Sequence, residues 1–271
     1  MAAYSVLMSL YAKENADFFR QSIESLRNQT VCPDQIVLVL DGPISTKLKQ
    51  VVQQYRDLLT IVPLPKNHGL GTALRVGLDY CTNELVARMD TDDLAVSQRM
   101  ETQVAFMKDH PHIDVVGGAI TEFQMDPNES NQRLRQVPLT MSTITQFAQL
   151  RNPMNHMTVM FRKQSVLKAG NYRSFPGFED YNLWVRMLQN GATFTNLPDV
   201  LVRVRIGNAM VTRRKGLNYI LCEYRFQRFL YDSRFIGKFI LLRNLVLRCG
   251  VRILPSKLLQ HIYANFVRQK N

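Results

Sequence analysis

The chain has 271 residues, enough for one large domain, or one with an appendage, and for a sizeable core. Apolar content of 46% and charged content of 21% are those of a folded globular protein; four scattered cysteines without a C-x-x-C spacing suggest neither a zinc site nor a disulfide framework, and a reducing cytoplasm is expected. The net charge of +12 sits at one end: residues 1–202 carry 19 Lys and Arg against 20 Asp and Glu, and residues 203–271 carry 15 against 2, a neutral body with a basic tail aimed at an anionic partner.

The first predicted element is a strand over Ser5 to Leu10. It lacks a basic lead and runs into Lys13-Glu14-Asn15, so it reads as a strand and not as a signal peptide. Helical spacing follows over 16–28, carried by Phe18, Phe19, Ile23 and Leu26. Gln35 to Leu40 is a β-branched run closed by Asp41-Gly42-Pro43. A helix with a Ser/Thr start is expected over 45–59, then a short strand at Thr60 to Leu64. The loop Asn67-His68-Gly69-Leu70-Gly71 opens a helix that runs to about Cys81, and Leu85 to Met89 reads as a short buried strand. Such alternation of strands and helices predicts an α/β fold with a mostly parallel central sheet flanked by helices. Ligands of these sheets sit at the carboxyl ends of the strands. Tyr11, Asp41 and the Asp90–Asp93 stretch all follow predicted strands, so they are expected to converge on one cleft. No G-x-G-x-x-G follows the first strand and there is no Walker-A lysine motif, which excludes a Rossmann dinucleotide site and a P-loop.

Further along, a helix is expected over Ser97 to Lys108 and a strand over Asp114 to Phe123. Residues 125–140 read as a loop or small insertion, and 142–150 as a helix. Asn152-Pro153-Met154-Asn155-His156 leads to a strand at Met157 to Phe161, and Ser165 to Ala169 to a short helix ended by Gly170. The helix from Phe178 to Met187 opens with Glu179 and Asp180. Residues 216–271 alternate aromatic or aliphatic groups with Arg and Lys. Lys238, Arg243 and Arg248 interrupt the apolar run too often for a spanning helix. Basic amphipathic helices on an anionic leaflet fit this tail; a helical cap on the body with a solvated basic face is the alternative. No nucleic-acid motif accompanies the charge, and no nucleic acid is expected.

Two acidic stretches carry the chemistry. Asp90, Asp92 and Asp93 crowd the mouth of a strand, where carboxylates repel one another unless a cation neutralises them. A hard divalent ion does so, with oxygen ligands from one or two carboxylates and from substrate phosphates. The alternative is a helix N-terminus capped by Asp93. Glu179 and Asp180 lie beside apolar Phe178 and Trp184, where repulsion and desolvation raise a carboxyl pKa toward neutrality; ordinary charge at a helix start is the alternative. Trp184 reads as core.

Five segments in order resemble the family 2 glycosyltransferases of GT-A fold, most closely the bacterial enzymes that build O-antigen or capsule repeat units. They are Tyr4 to Asn15, Ile36 to Pro43, Asn67 to Gly71, Ala87 to Asp93 and Glu179 to Arg186, spread over roughly residues 1–215. The resemblance implies a catalytic domain over 1–215 and a basic, membrane-associating tail over 216–271. Tyr11 would stack on uracil, and Asp41 would accept from the base or ribose. Asp90 and Asp92 would hold the ribose and a Mn²⁺ or Mg²⁺ bridging the diphosphate, with Asp92 the direct ligand and Asp93 in support. Asp180, with Glu179 second, would be the base of an inverting transfer. Asn67 would shape the nucleotide loop, and Arg75 stands where the family commonly has asparagine. His156 is a candidate for contact with phosphate or acceptor, with a structural hydrogen bond as the alternative. Arg203, Arg205, Arg213 and Arg214 are a candidate diphosphate-binding set, with a solvated basic surface as the alternative.

The expected function is therefore metal-dependent transfer of a hexose, galactose or glucose, from a UDP-sugar to a polyprenyl-diphosphate-linked saccharide. GlcNAc-diphospho-undecaprenol is the expected acceptor, at the cytoplasmic face of the bacterial inner membrane. A UDP-hexosamine or dTDP-rhamnose donor, a nucleotidyltransferase, and a basic peripheral membrane or nucleic-acid-binding protein are the rival readings.

Overall fold

The computed structural model describes residues 2–124, 126–127, 132–206 and 217–250, in two compact units, 1–206 and 207–271. In the first unit the chain runs β1 (Tyr4–Leu10), α1 (Ala16–Arg27), β2 (Gln35–Leu40), α2 (Thr46–Gln54), β3 (Leu59–Pro63), α3 (Leu70–Tyr80), β4 (Leu85–Arg88) and β5 (Leu94–Ala95). It continues with α4 (Arg99–Asp109), β6 (Val115–Phe123), β7 (Arg133–Arg135), α5 (Met141–Ala148), β8 (Met160–Arg162), α6 (Lys163–Lys168), α7 (Glu179–Gln189) and β9 (Phe194–Arg205). The strands form one sheet in the order β3-β2-β1-β4-β8-β6-β9-β5, with β7 on β6. The pairs β1–β2, β1–β4, β2–β3 and β6–β9 are parallel, while β8 runs antiparallel to both β4 and β6. This is the mostly parallel α/β sheet expected from the alternation of elements.

Helices cover both faces because the strands are apolar on both. Phe19, Ile23 and Leu26 of α1, Leu48 and Val51 of α2 and Met100 and Val104 of α4 pack with Tyr4, Val6, Met8 and Leu10 on one side. Ala73, Leu74 and Leu78 of α3 and Leu183, Trp184 and Met187 of α7 pack with Leu7, Val37 and Val86 on the other. Alternate residues of β1 thus feed opposite cores, as the two-residue strand period requires. Asn15 caps α1, its side chain accepting from the backbone N–H of Asp17 and Phe18 at 2.8 and 3.2 Å.

Three expectations are corrected. The helix expected over 45–59 stops at Gln54, and Arg56–Leu58 is a 3₁₀ turn. The strand expected from Met157 begins at Met160, because His156–Thr158 forms a 3₁₀ turn. The reading of 125–140 as loop omitted β7. The long strand β9 was not expected from the sequence: Pro198-Asp199 interrupts its apolar pattern. The structure absorbs them in an irregularity, where Gly118 faces Leu197 but Ala119 faces Val200.

The second unit contains α8 (Leu217–Asp232), α9 (Lys238–Leu245) and a π-helical turn (Val246–Gly250). Among the described residues no helix is long and apolar enough to cross a membrane.

Candidate active site

Because β1, β2 and β4 are parallel, their carboxyl ends share one edge of the sheet, and Tyr11, Asp41 and Asp90 follow those ends. Asp41 is buried. Its carboxylate accepts from Asn67 Nδ2 at 2.9 Å and from the backbone N–H of His68 and Gly69 at 2.7 and 3.0 Å. The carboxylate expected to meet a base or ribose is therefore engaged in holding the Asn67–Gly69 loop. Gly42 has φ +88°, and a Cβ on it would lie 2.6 Å from the Asn67 nitrogen, so the turn after β2 and this loop touch directly. Arg75 is exposed on α3.

The same loop opens α3, and Gly71 brings that helix against the acidic pair of α7. A Cβ at Gly71 would stand 2.3 Å from the Arg173 carbonyl oxygen and 2.9 Å from Glu179 Cγ. Helix propensity alone favours alanine there by about 1 kcal/mol, yet the atom in the way is backbone and not the end of a flexible side chain. Gly71→Ala is expected to lower Tm and to raise KM for the donor roughly tenfold by displacing the loop. Thermal melts and donor saturation curves check this, and a variant with higher Tm and unchanged KM would contradict it.

Asp90, Asp92 and Asp93 present carboxylate oxygens that all lie within 4.8 Å of one another. Burial, and then repulsion from Asp90, pushes the Asp92 carboxyl up to about 6; the same causes raise Asp93 well above the ordinary carboxylate range. Asp93 points inward and accepts the backbone N–H of Arg205 at 2.9 Å. That leaves Asp90 and Asp92 on the half-buried side. Such a donor set fits a hard divalent cation, since added positive charge relieves the repulsion that burial intensifies.

Two arginines hold this loop. Arg88, buried in β4, pairs with Asp90 Oδ1 at 2.5 Å, and its Nε and Nη1 have no hydrogen-bond partner. Behind it, buried Arg99 donates from Nη2 to the Arg88 carbonyl at 2.8 Å. Arg205 donates from Nε to the Asp92 carbonyl at 3.3 Å and from Nη2 to Gln21 Oε1 at 2.7 Å, and it stacks over Phe18, 3.8 Å from the ring centroid. Arg205 is thus a buried clamp on the acidic loop. Arg203 lies half-buried on β9 beside Leu94 and donates to the Pro127 carbonyl at 3.5 Å. Arg213 and Arg214 lie outside the described residues.

Glu179 and Asp180 form the first turn of α7. Asp180 Oδ2 accepts from Asn152 Nδ2 at 2.6 Å. Burial raises the carboxyls of both, Glu179 to about 7. In Asp180 the rise is opposed by the Asn152 hydrogen bond and, less strongly, by the charge of Arg88. Arg88 therefore stands in the field of both acidic groups.

His156 is buried, with Nε2 3.0 Å from the Tyr172 hydroxyl and its ring edge-on to Trp184. Burial holds its imidazole well below the usual histidine range, hence neutral. Its burial and its Tyr172 partner are those of the structural hydrogen-bonding alternative. Trp184 is fully buried, in agreement with its reading as core. Arg186 ties α7 to the preceding turn through the carbonyls of Ala169 and Asn171. Sequence reasoning missed Arg88, Asn152 and Tyr172. An arginine inside the otherwise apolar β4 was a signal, since a buried guanidinium requires polar partners within reach.

The glycosyl transferase family 2 profile matches residues 5–170. The amylovoran biosynthesis glycosyltransferase AmsE of Erwinia amylovora is 44% identical over 265 residues, 96% of this chain and 97% of that protein. A UDP-Gal:α-D-GlcNAc-diphosphoundecaprenol β-1,3-galactosyltransferase of Escherichia coli is 32% identical over 268 residues, 98% of this chain and 97% of that one. Among solved structures, the mannosyltransferase PcManGT of Pyrobaculum calidifontis, in complex with GDP-Man and Mn²⁺, superposes with a TM-score of 0.62 at 17% identity. That match covers 97% of this chain and 75% of the other. The fold is GT-A.

Proposed function

The chain belongs to glycosyl transferase family 2, and we propose that it transfers galactose or glucose from a UDP-sugar, with inversion, to a lipid-linked saccharide such as GlcNAc-diphospho-undecaprenol. The observation that carries this reading is the pair of acidic sets at one edge of the sheet. Asp90, Asp92 and Asp93 follow β4, Glu179 and Asp180 open α7, and buried Arg88 acts on both. The similarity to the Escherichia coli galactosyltransferase supports the donor and the acceptor class.

Asp90 and Asp92 would hold a divalent cation, Mn²⁺ or Mg²⁺, which when bound would supply positive charge against the charge growing on the UDP leaving group. Tyr11 stacks on the uracil, and the Asn67–Gly69 loop braced by Asp41 lines the nucleotide. On the opposite side of the sugar, Asp180 takes the proton of the attacking acceptor hydroxyl, with its carboxylate oriented by Asn152. Glu179, its carboxyl raised to about 7, is the second candidate. The basic tail places the enzyme peripherally on the anionic inner leaflet, where a polyprenyl-linked acceptor resides.

The test is transfer from UDP-Gal, UDP-Glc, UDP-GlcNAc and dTDP-rhamnose to a short-chain GlcNAc-diphosphate-lipid, with and without Mn²⁺. The expected product carries one hexose, from UDP-Gal or UDP-Glc, with the anomeric configuration inverted by proton coupling constants. Retention of configuration, or transfer from the hexosamine or rhamnose donor alone, would overturn the assignment.

A further inference from the structure

Helix α9 and the first residue of the π-helical turn present an apolar stripe that no described residue of their own unit covers. Phe239 is 90% exposed, Leu242 63% and Val246 62%. At about 100° per residue these three fall within about 60° of one another around the helix. Exposed Lys238 and Arg243 flank the stripe, each about 40° beyond one edge. A phenylalanine this exposed contributes no burial to the fold, and scattered single exposures do not account for a contiguous stripe.

The rotation of α9 that creates this face is fixed from behind. Asn244, about opposite the stripe, is buried and donates from Nδ2 to Gln227 Oε1 of α8 at 3.0 Å. Gln227 Nε2 in turn donates to Glu223 Oε1 at 3.1 Å, and the same oxygen accepts from Arg248 Nη1 at 2.9 Å. A buried polar chain of this kind specifies one register of two helices, since turning α9 would carry Asn244 away from Gln227 and Arg248 away from Glu223. The stripe is thus held outward by the structure.

Charge selects the occupant. Residues 207–271 carry 13 Lys and Arg against two acids, Glu223 and Asp232. Glu223 is paired with Arg248, and Asp232 with Arg228. Both negative charges of the unit are therefore matched within it, and a second copy docking here would set like charge against like. A hydrocarbon-seeking stripe bordered by cations matches an anionic lipid surface, with the aliphatic groups below the headgroups and the bases among them.

We propose that the Phe239–Leu242–Val246 face, flanked by Lys238 and Arg243, is the membrane-docking element of this protein, inserting into the headgroup boundary of an anionic leaflet. The proposal deepens the peripheral-membrane part of the function above and stands independently of the sugar transferred.

The test is co-sedimentation of the full chain with phosphatidylcholine vesicles with and without phosphatidylglycerol. Phe239→Ser/Leu242→Ser and Lys238→Glu/Arg243→Glu are compared alongside transfer to a water-soluble short-chain acceptor. Wild type is expected to bind anionic vesicles at least tenfold more tightly than neutral ones. The apolar variant is expected to lose at least tenfold on anionic vesicles, and the charge variant to lose the preference for them, while both keep wild-type rates on the soluble acceptor. Unchanged vesicle binding in both variants would overturn the proposal. So would wild type that ignores vesicles but forms a dimer abolished by Phe239→Ser/Leu242→Ser. Loss of transfer with vesicle binding intact would instead fault the catalytic reading.

Discussion

Asp92→Asn is expected to lower kcat/KM about a thousandfold while leaving the fold at least as stable as wild type. Asp92 contributes to folding mainly by being repelled. Burial and the neighbouring Asp90 carboxylate push its carboxyl up to about 6, so its ionised form is disfavoured in the folded state. A carboxyl raised in this way stabilises the fold most at pH below its unfolded value, and that contribution is lost as pH rises through about 6. At neutral pH, neutralising the side chain removes the unfavourable charge, and Tm is expected to rise. The contact recorded at Asp92 from Arg205 is to its backbone carbonyl, which the substitution preserves. Catalysis responds in the opposite sense, because an amide oxygen is a poor ligand for a hard cation beside a diphosphate. Activity falling as Tm rises is the signature of a functional carboxylate; equal losses in both would mark a structural one. Steady-state kinetics across Mn²⁺ concentrations, paired with thermal melts, checks this.

Asp180→Asn is expected to reduce kcat by about 10²–10⁴ with donor KM changed little, because a general base acts only once the acceptor hydroxyl begins to attack. Asparagine retains the side-chain oxygen that accepts from Asn152 Nδ2, so the start of α7 keeps its place. Glu179→Gln should fall less if Asp180 is the base, and more if the two roles are exchanged. The wild-type pH profile should carry the same information. With both carboxyls raised, and Glu179 raised to about 7, kcat/KM should decline about tenfold per pH unit on the acid side of that value. Stability linked to Glu179 runs the other way: it is greatest below the ordinary carboxylate range and is lost as pH rises through about 7. A profile flat from pH 5 to 8 would remove this pair from proton transfer.

The acidic sets were legible in the sequence because each breaks a regular pattern. Asp90 to Asp93 ends an apolar strand, and Glu179-Asp180 opens an amphipathic helix. The parallel half of the sheet was equally legible, since β1, β2 and β4 are short apolar runs between helical periods. Strand β9 was not, because Pro198 and Asp199 read as loop while their irregular pairing against β6 depends on residues some 80 positions earlier. Side-chain roles that depend on packing were the least legible. His156 beside a proline-containing loop looked like a polar contact, but the Tyr172 hydroxyl and the Trp184 ring claim it for the core. Arg205 looked like one of a row of phosphate-binding arginines. Its fate was set by Gln21, Phe18 and the Asp92 carbonyl, three partners that no local pattern points to. Asp41 was legible as a residue following β2, while its partners in the Asn67–Gly69 loop required the fold.

The central claim is that the two acidic sets divide the work, one binding the nucleotide through a metal and the other moving a proton. Calorimetric titration of UDP with and without Mn²⁺, on wild type, Asp92→Asn and Asp180→Asn, tests it most directly when paired with single-turnover transfer by the same samples. The expected result is Mn²⁺-dependent UDP binding in wild type and undiminished in Asp180→Asn, which fails to turn over, with that binding lost in Asp92→Asn. UDP binding by Asp92→Asn with the wild-type response to Mn²⁺, or full single-turnover transfer by Asp180→Asn, would contradict it.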